Sequence, residues 1–198
     1  MTTTVDYFFS VVSPWSYLGD ARLREIAGRY GATLKHKPVN TALIFSRTGG
    51  LQLKDRSDQR KAYRMQELSR WRDHLGVELT LEPRYFPTND QLAARTVAAV
   101  RQSGEDPSEL VHALMRACWV EDRDVAEASV VKSVLDTVGL ESETLLARAE
   151  SEECQNEVET NTEEAISRGV FGVPTYQIGD QLFWGQDRVD FVERALAR

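Results

Sequence analysis

Strand patterns occur at the two ends of this 198-residue chain and not in between, which restricts it to few architectures. Val5–Val11 (VDYFFSV) is β-branched and aromatic and reads as a strand buried on both faces. Ser13-Pro14 punctuates it, and Pro14 suits a first helical residue, where its missing N–H costs nothing. A helix then runs from about Trp15 to Tyr30. Its apolar positions are Tyr17, Leu18, Ala21, Leu23, Ile26 and Ala27, and Gly31 stops it. Thr33–Val39 follows as a second strand. At the far end, Thr175–Ile178 and Gln181–Trp184 flank a Gly179-Asp180 hairpin turn. Gly185 breaks the second of these strands, and Asp187 caps a last helix.

A strand–helix–strand unit joined to a strand–strand–helix unit predicts one mixed four-stranded sheet flanked by helices. This is an α/β, thioredoxin-like arrangement with a large all-helical insertion. The division places a discontinuous domain at 1–40 and 170–198, with the insertion at 41–169. Within the insertion, helices are expected over Ser57–Leu75, Asn89–Gln102 and Pro107–Val120. Three more follow, capped by Asp124, capped by Ser142, and running from Glu152 to Arg168.

Composition narrows the function. Lys plus Arg number 24 against 31 Asp plus Glu, a net charge of −7. Such a chain lacks the basic surface that phosphate binding needs, so nucleic acid is excluded as a partner. No apolar run is long enough for a membrane span. The opening apolar run has no Lys or Arg before it and is interrupted by Asp6, which argues against a secretory signal and for a cytoplasmic protein. Cys118 and Cys154 have no spacing of a disulfide framework, a metal site or a C-x-x-C pair, and read as packed helix thiols. No metal is expected.

Three short constellations carry chemistry. Ser13-Pro14-Trp15-Ser16 lies at a helix N-terminus, where unpaired N–H groups and the positive end of the dipole favour an anion, and Ser13 adds a hydroxyl. Val173-Pro174 precedes a short core strand. A cis bond there would leave the Val173 N–H and C=O free for an extended peptide-like ligand. Gln186 and Asp187 sit in a strand-to-helix turn that could hold a group with both ammonium and carboxylate. Tyr63, Trp71 and Trp184 read as core. Trp15, and Tyr85 and Phe86 in the Pro83–Pro87 turn, are candidates for lining an aromatic substrate pocket.

DYFFSVVSPWSYLG, QRKAYRMQELSRWRDHLGV and FGVPTYQIGDQLFWGQDRVDFVE, in this order, resemble the 2-hydroxychromene-2-carboxylate isomerases. These group with the kappa-class glutathione transferases in the DsbA-like branch of the thioredoxin fold. The resemblance implies glutathione as cofactor, with Ser13 as the catalytic residue that hydrogen-bonds its sulfur. It implies that Val173, before the cis Pro174, pairs with the cysteinyl backbone, and that Gln186 and Asp187 hold the γ-glutamyl end. The family often has Lys three residues before the helix tyrosine. Here that position is Arg60, beside Lys61, and either is a candidate for an anionic group. Where the family commonly has T-G-N, this chain has Thr48-Gly49-Gly50.

The implied reaction is cis/trans isomerisation of an aromatic-catabolism substrate, through reversible addition of a thiolate to a conjugated system. The implied partners are a small aromatic molecule and a second copy in a homodimer. A kappa-like transferase and a non-catalytic binding or scaffold protein are the alternatives. A thiol–disulfide oxidoreductase is disfavoured, because Ser13 and Ser16 occupy both places of a C-x-x-C and hydroxyls do not exchange disulfides.

Overall fold

The computed structural model describes residues 2–198. Four strands form one sheet: β1 (Thr4–Phe9), β2 (Thr33–Pro38), β3 (Thr175–Ile178) and β4 (Gln181–Trp184). Their order is β2-β1-β3-β4. β1 runs parallel to β2, with Tyr7 opposite His36, and antiparallel to β3, with Tyr7 opposite Tyr176. β3 and β4 form the expected hairpin. The first strand ends at Phe9, earlier than its apolar run suggests, because Ser10–Val12 turn the chain into the helix that follows.

That helix, α1 (Pro14–Arg29), has Pro at its start and buries Tyr17, Leu18, Leu23, Ile26 and Ala27. Ala21 is exposed, contrary to its expected inward position. Full burial of a side chain such as Leu23 stabilises by about 1.5–3 kcal/mol, so this face secures α1 firmly. Gly19 lets the helix approach its neighbours closely. A Cβ there would overlap Tyr176 Oη and lie 3.1 Å from Gln186 Cβ.

Among the described residues, the segment between β2 and β3 contains only helices, turns and irregular chain. Its helices are α2 (Thr41–Thr48), α3 (Asp58–Leu75), α4 (Gln91–Gln102), α5 (Ser108–Trp119), α6 (Ala128–Thr137), α7 (Ser142–Ala149) and α8 (Glu152–Ser167); α9 (Val189–Leu196) closes the chain. One buried cluster runs from Val5, Tyr7 and Phe9 in β1 through Leu23 into Leu68, Val97, Leu114 and Trp119.

Three expected caps are displaced. Asp124 accepts hydrogen bonds from Ala126 N–H (3.0 Å) and Thr88 Oγ1 (2.6 Å), and α6 begins only after Glu127. Ser142 is the first residue of α7, after Glu141. Asp187 lies in a single 3₁₀ turn, Gln186–Arg188, so Arg188 is the cap position of α9. The short α2 is a further helix, ahead of those expected in the insertion. Asn40 starts it by accepting from Leu43 N–H (3.2 Å), and Gly49 ends it with φ of 79°.

Candidate active site

The sheet and the helical segment face each other across a cleft formed by two adjoining cavities of about 660 and 820 Å³. Both volumes lie in the range of small-molecule sites. Trp15, Phe45, Arg56, Arg64, Phe171, Val173 and Trp184 line both.

Ser13 stands on the smaller cavity as the N-cap of α1, with extended backbone (φ −87°, ψ 117°). Its Oγ accepts the Ser16 N–H at 3.2 Å. The hydroxyl proton is not consumed by capping and can be donated to an anion in the cleft. No acidic residue occupies the first turn of α1, so nothing there opposes the attraction of the helix end for negative charge.

The Val173–Pro174 peptide is cis. Neither backbone group of Val173 hydrogen-bonds to backbone within the described residues, whereas the Pro174 carbonyl accepts from Gly185 N–H at 2.9 Å. Half-buried Val173 therefore presents an open donor and acceptor to both cavities.

Gly185, with φ of 106°, takes a conformation that favours glycine and admits the 186–188 turn. Gln186 is buried, and both its carbonyl (2.6 Å) and its Oε1 accept from Arg22 Nη2. The Gln186 side chain is thus engaged behind the wall. Asp187 is exposed on the larger cavity and accepts from Arg188 Nη1 at 2.8 Å.

Arg60 lines the larger cavity and Phe86 the smaller one, where the Phe86 ring packs 4.8 Å from Trp119. Lys61 and Tyr85 line neither. Lys61 turns to Asp58 on its own helix (3.8 Å), and Tyr85 is exposed beneath Arg84. Tyr63 and Trp184, read as core, are exposed at the larger cavity, and half-buried Trp71 lines it too. The α3 face that carries Tyr63 looks into the cleft while Leu68 faces the core.

Among the described residues, no histidine or cysteine lines either cavity. His36 is buried against Tyr7 and Phe9, and burial holds it down to about 4. His112 Nδ1 lies 3.0 Å from Asp20 Oδ2, outside the cleft. Both cysteines are buried, and burial pushes the Cys118 thiol up to about 12.

Comparison with known proteins matches this arrangement. The family model of the DSBA-like thioredoxin domain covers residues 4–197. A 2-hydroxychromene-2-carboxylate isomerase of Sphingobium xenophagum is 31% identical over 99% of both chains. A solved structure of 2-hydroxychromene-2-carboxylate isomerase superposes with a TM-score of 0.82 at 28% identity, covering 98% of this chain and 95% of that one. The chain belongs to the DSBA-like thioredoxin family, in its 2-hydroxychromene-2-carboxylate isomerase branch. A kappa-class glutathione transferase of Caenorhabditis elegans is 26% identical over 98% of this chain and 91% of its own.

This isomerase also has cleft residues that its sequence did not single out. Arg56 and Arg64 line both cavities, and Arg95 lines the smaller. Burial lowers Arg56, with Arg60 as a second cause, and its Nε donates to the Leu51 carbonyl at 3.0 Å. Arg22 fixes the turn from behind. A chain of net charge −7 has therefore gathered arginines at one cleft. In sequence, each reads as an ordinary solvated helix or loop charge.

Proposed function

We propose that this protein is a glutathione-dependent isomerase that acts on a conjugated aromatic molecule of the 2-hydroxychromene-2-carboxylate kind. The observation that carries the reading is a serine hydroxyl and an open peptide edge at the N-terminus of α1, in a cleft that has no thiol or imidazole of its own. Such a site needs a nucleophile brought to it on a peptide.

The residues present fit glutathione. Val173 offers one donor and one acceptor for the cysteinyl backbone, Ser13 offers a proton for the sulfur, and Asp187 offers a carboxylate for an ammonium group. Arg60 offers a cation for a terminal carboxylate, and Gln186 contributes by fixing the turn. The bound group would supply a thiolate that adds to the conjugated system, permits rotation about the former double bond, and leaves. A thiol of pKa about 8.5 is mostly protonated at pH 7. A hydrogen bond to a charged group contributes about 1.5–3 kcal/mol, and a helix end up to about 1 kcal/mol. Ser13 and α1 together can therefore lower the thiol by about one to three units, at about 1.4 kcal/mol per unit.

The kappa-class relatives support a second reading, glutathione transfer at the same site. The two differ in the fate of the thiol. An isomerase returns glutathione after every turnover, whereas a transferase consumes one per product. The test follows the isomerisation of 2-hydroxychromene-2-carboxylate with catalytic glutathione while titrating free thiol. Many turnovers per glutathione are expected. Stoichiometric loss of thiol would favour the transferase, and turnover indifferent to glutathione would reject both.

A further inference from the structure

Arg64 is a buried cation with no carboxylate partner among the described residues. It is only 9% exposed, and its Nη2 has no hydrogen-bond partner. Lys61 and Arg70 on the same helix pair with Asp58 and Glu67, but Arg64 forms no ion pair among the described residues. Its Nη1 meets only the Met65 sulfur, at 3.7 Å. Its guanidinium carbon lies 5.4 Å from the centroid of the Phe86 ring. Burial pushes its pKa down to about 10, with Arg56 as a lesser cause, so it is still charged at pH 7. A buried charge of this kind is costly unless something pairs with it.

The direction of the side chain indicates which ligand does so. Arg64 borders both cavities, but Phe86, beneath its guanidinium, lines only the smaller one. Arg95 lines only that cavity as well, and its buried Nε also has no partner. The open edge of Val173 borders both cavities, and the carboxylate of Asp187 borders only the larger one.

We infer that Arg64 anchors the carboxylate of the second substrate, a planar aromatic or conjugated acid whose ring lies against Phe86 and Trp15 in the smaller cavity. The glutathione reading supplies only the identity of the first substrate; the place of the acid follows from the unpaired guanidinium. The planar fork of arginine suits a carboxylate through two parallel hydrogen bonds, which a lysine does not reproduce. Arg64 is thus a positioning and specificity residue. It fixes the acid end so that the conjugated system is presented to the N-terminus of α1.

Binding without turnover tests this. The full chain, free of glutathione, is titrated calorimetrically with trans-2-hydroxycinnamate and with its primary amide, which has the same shape and no charge. The acid should bind the wild type at least about tenfold more tightly, as expected for a charge-assisted pair. Arg64→Gln should erase the preference, and Arg64→Lys should retain part of it. The acid-to-amide ratio is measured within each variant, so a partly unfolded sample weakens both ligands alike.

Equal affinity of acid and amide for the wild type, or a preference that survives Arg64→Gln, would overturn the inference. So would an Arg64→Gln protein that keeps the preference while the bound glutathione thiol rises in pKa, which would place Arg64 on the sulfur. Glutathione is titrated separately. If it fails to bind the wild type, the proposed function falls, and the acid-to-amide ratio still decides the role of Arg64.

Discussion

The two walls of the cleft are built on opposite terms. The wall formed by the chain ends presents backbone and one hydroxyl, and much of what supports it is internally bonded. Arg22 holds Gln186, Gly185 N–H reaches the Pro174 carbonyl, and Ser13 caps α1 while keeping its proton. The wall formed by the helical segment presents Arg56, Arg64 and Arg95, and among the described residues Arg64 Nη2 and Arg95 Nε are buried without a hydrogen-bond partner. A backbone edge with a hydroxyl suits any peptide that carries a thiol. Unpaired guanidiniums over aromatic rings discriminate by charge and shape. The comparison assigns thiol activation to the first wall and choice of substrate to the second, so a change in one should leave the other working.

The largest expected effect lies behind the first wall. His36 is buried with both ring nitrogens unpartnered, and burial holds it down to about 4. Its folded pKa is below the unfolded value of about 6.5. The stability it contributes is therefore present above about pH 6.5 and is lost as pH falls toward 4. His36→Phe should reduce the loss of unfolding free energy between pH 7 and 4.5 by about 2–3 kcal/mol, read from urea curves. Parallel losses in the two proteins would contradict this. The acid-to-amide preference at pH 7 should not change.

Gly19→Ala comes next. Its Cβ would collide with Tyr176 Oη and press on Gln186, which carries the 186–188 turn. Overpacking of this kind costs about 1–3 kcal/mol. Thermal unfolding should move down and glutathione affinity should fall, while acid binding at the helical wall persists. An unchanged melting temperature would show that the helix and the turn are less tightly coupled than their contact suggests.

Asp187→Asn should weaken glutathione binding about five- to twentyfold, roughly 1–2 kcal/mol, and leave the bound thiol's pKa at its wild-type value. Calorimetry and thiolate absorbance separate the two effects. The smallest effect belongs to Lys61→Ala. Its partner Asp58 is exposed and the residue borders neither cavity, so kcat/KM and stability should shift by less than about 0.5 kcal/mol. A larger change in kcat/KM would bring Lys61 into the cleft.

The same contrast explains what the sequence made legible. The first wall is written in local signals: a Ser-Pro helix start, a Pro before a β-branched strand, and a Gly-broken hairpin. Each lies within a few residues of the group it positions, and strand limits fell within two residues of expectation. The second wall is written in tertiary packing. Arg64 stands in a strongly charged helix, and no local pattern separates an arginine turned inward beside Leu68 from its solvated neighbours. Tyr63 failed for the converse reason, since its helical spacing suits a core that the cleft replaces. The missed helix α2 did carry a signal, Asn40 as cap and Gly49 as stop, but eight residues gave too short a period to weigh. The displaced cap at Asp187 arose because Gly185 is followed by a 3₁₀ turn before α9 begins, which composition does not distinguish from a simple N-cap.

In this account Ser13 activates a thiol brought to the cleft by a ligand, since Cys118 and Cys154 are both buried away from it. The direct measurement is thiolate absorbance against pH for glutathione bound to the wild type and to Ser13→Ala. The account predicts a bound thiol whose pKa rises by roughly one to two units in the variant. Turnover at pH 7 should fall about ten- to a hundredfold, with glutathione affinity nearly unchanged. Coincident titration curves would reduce Ser13 to a helix cap and contradict the account.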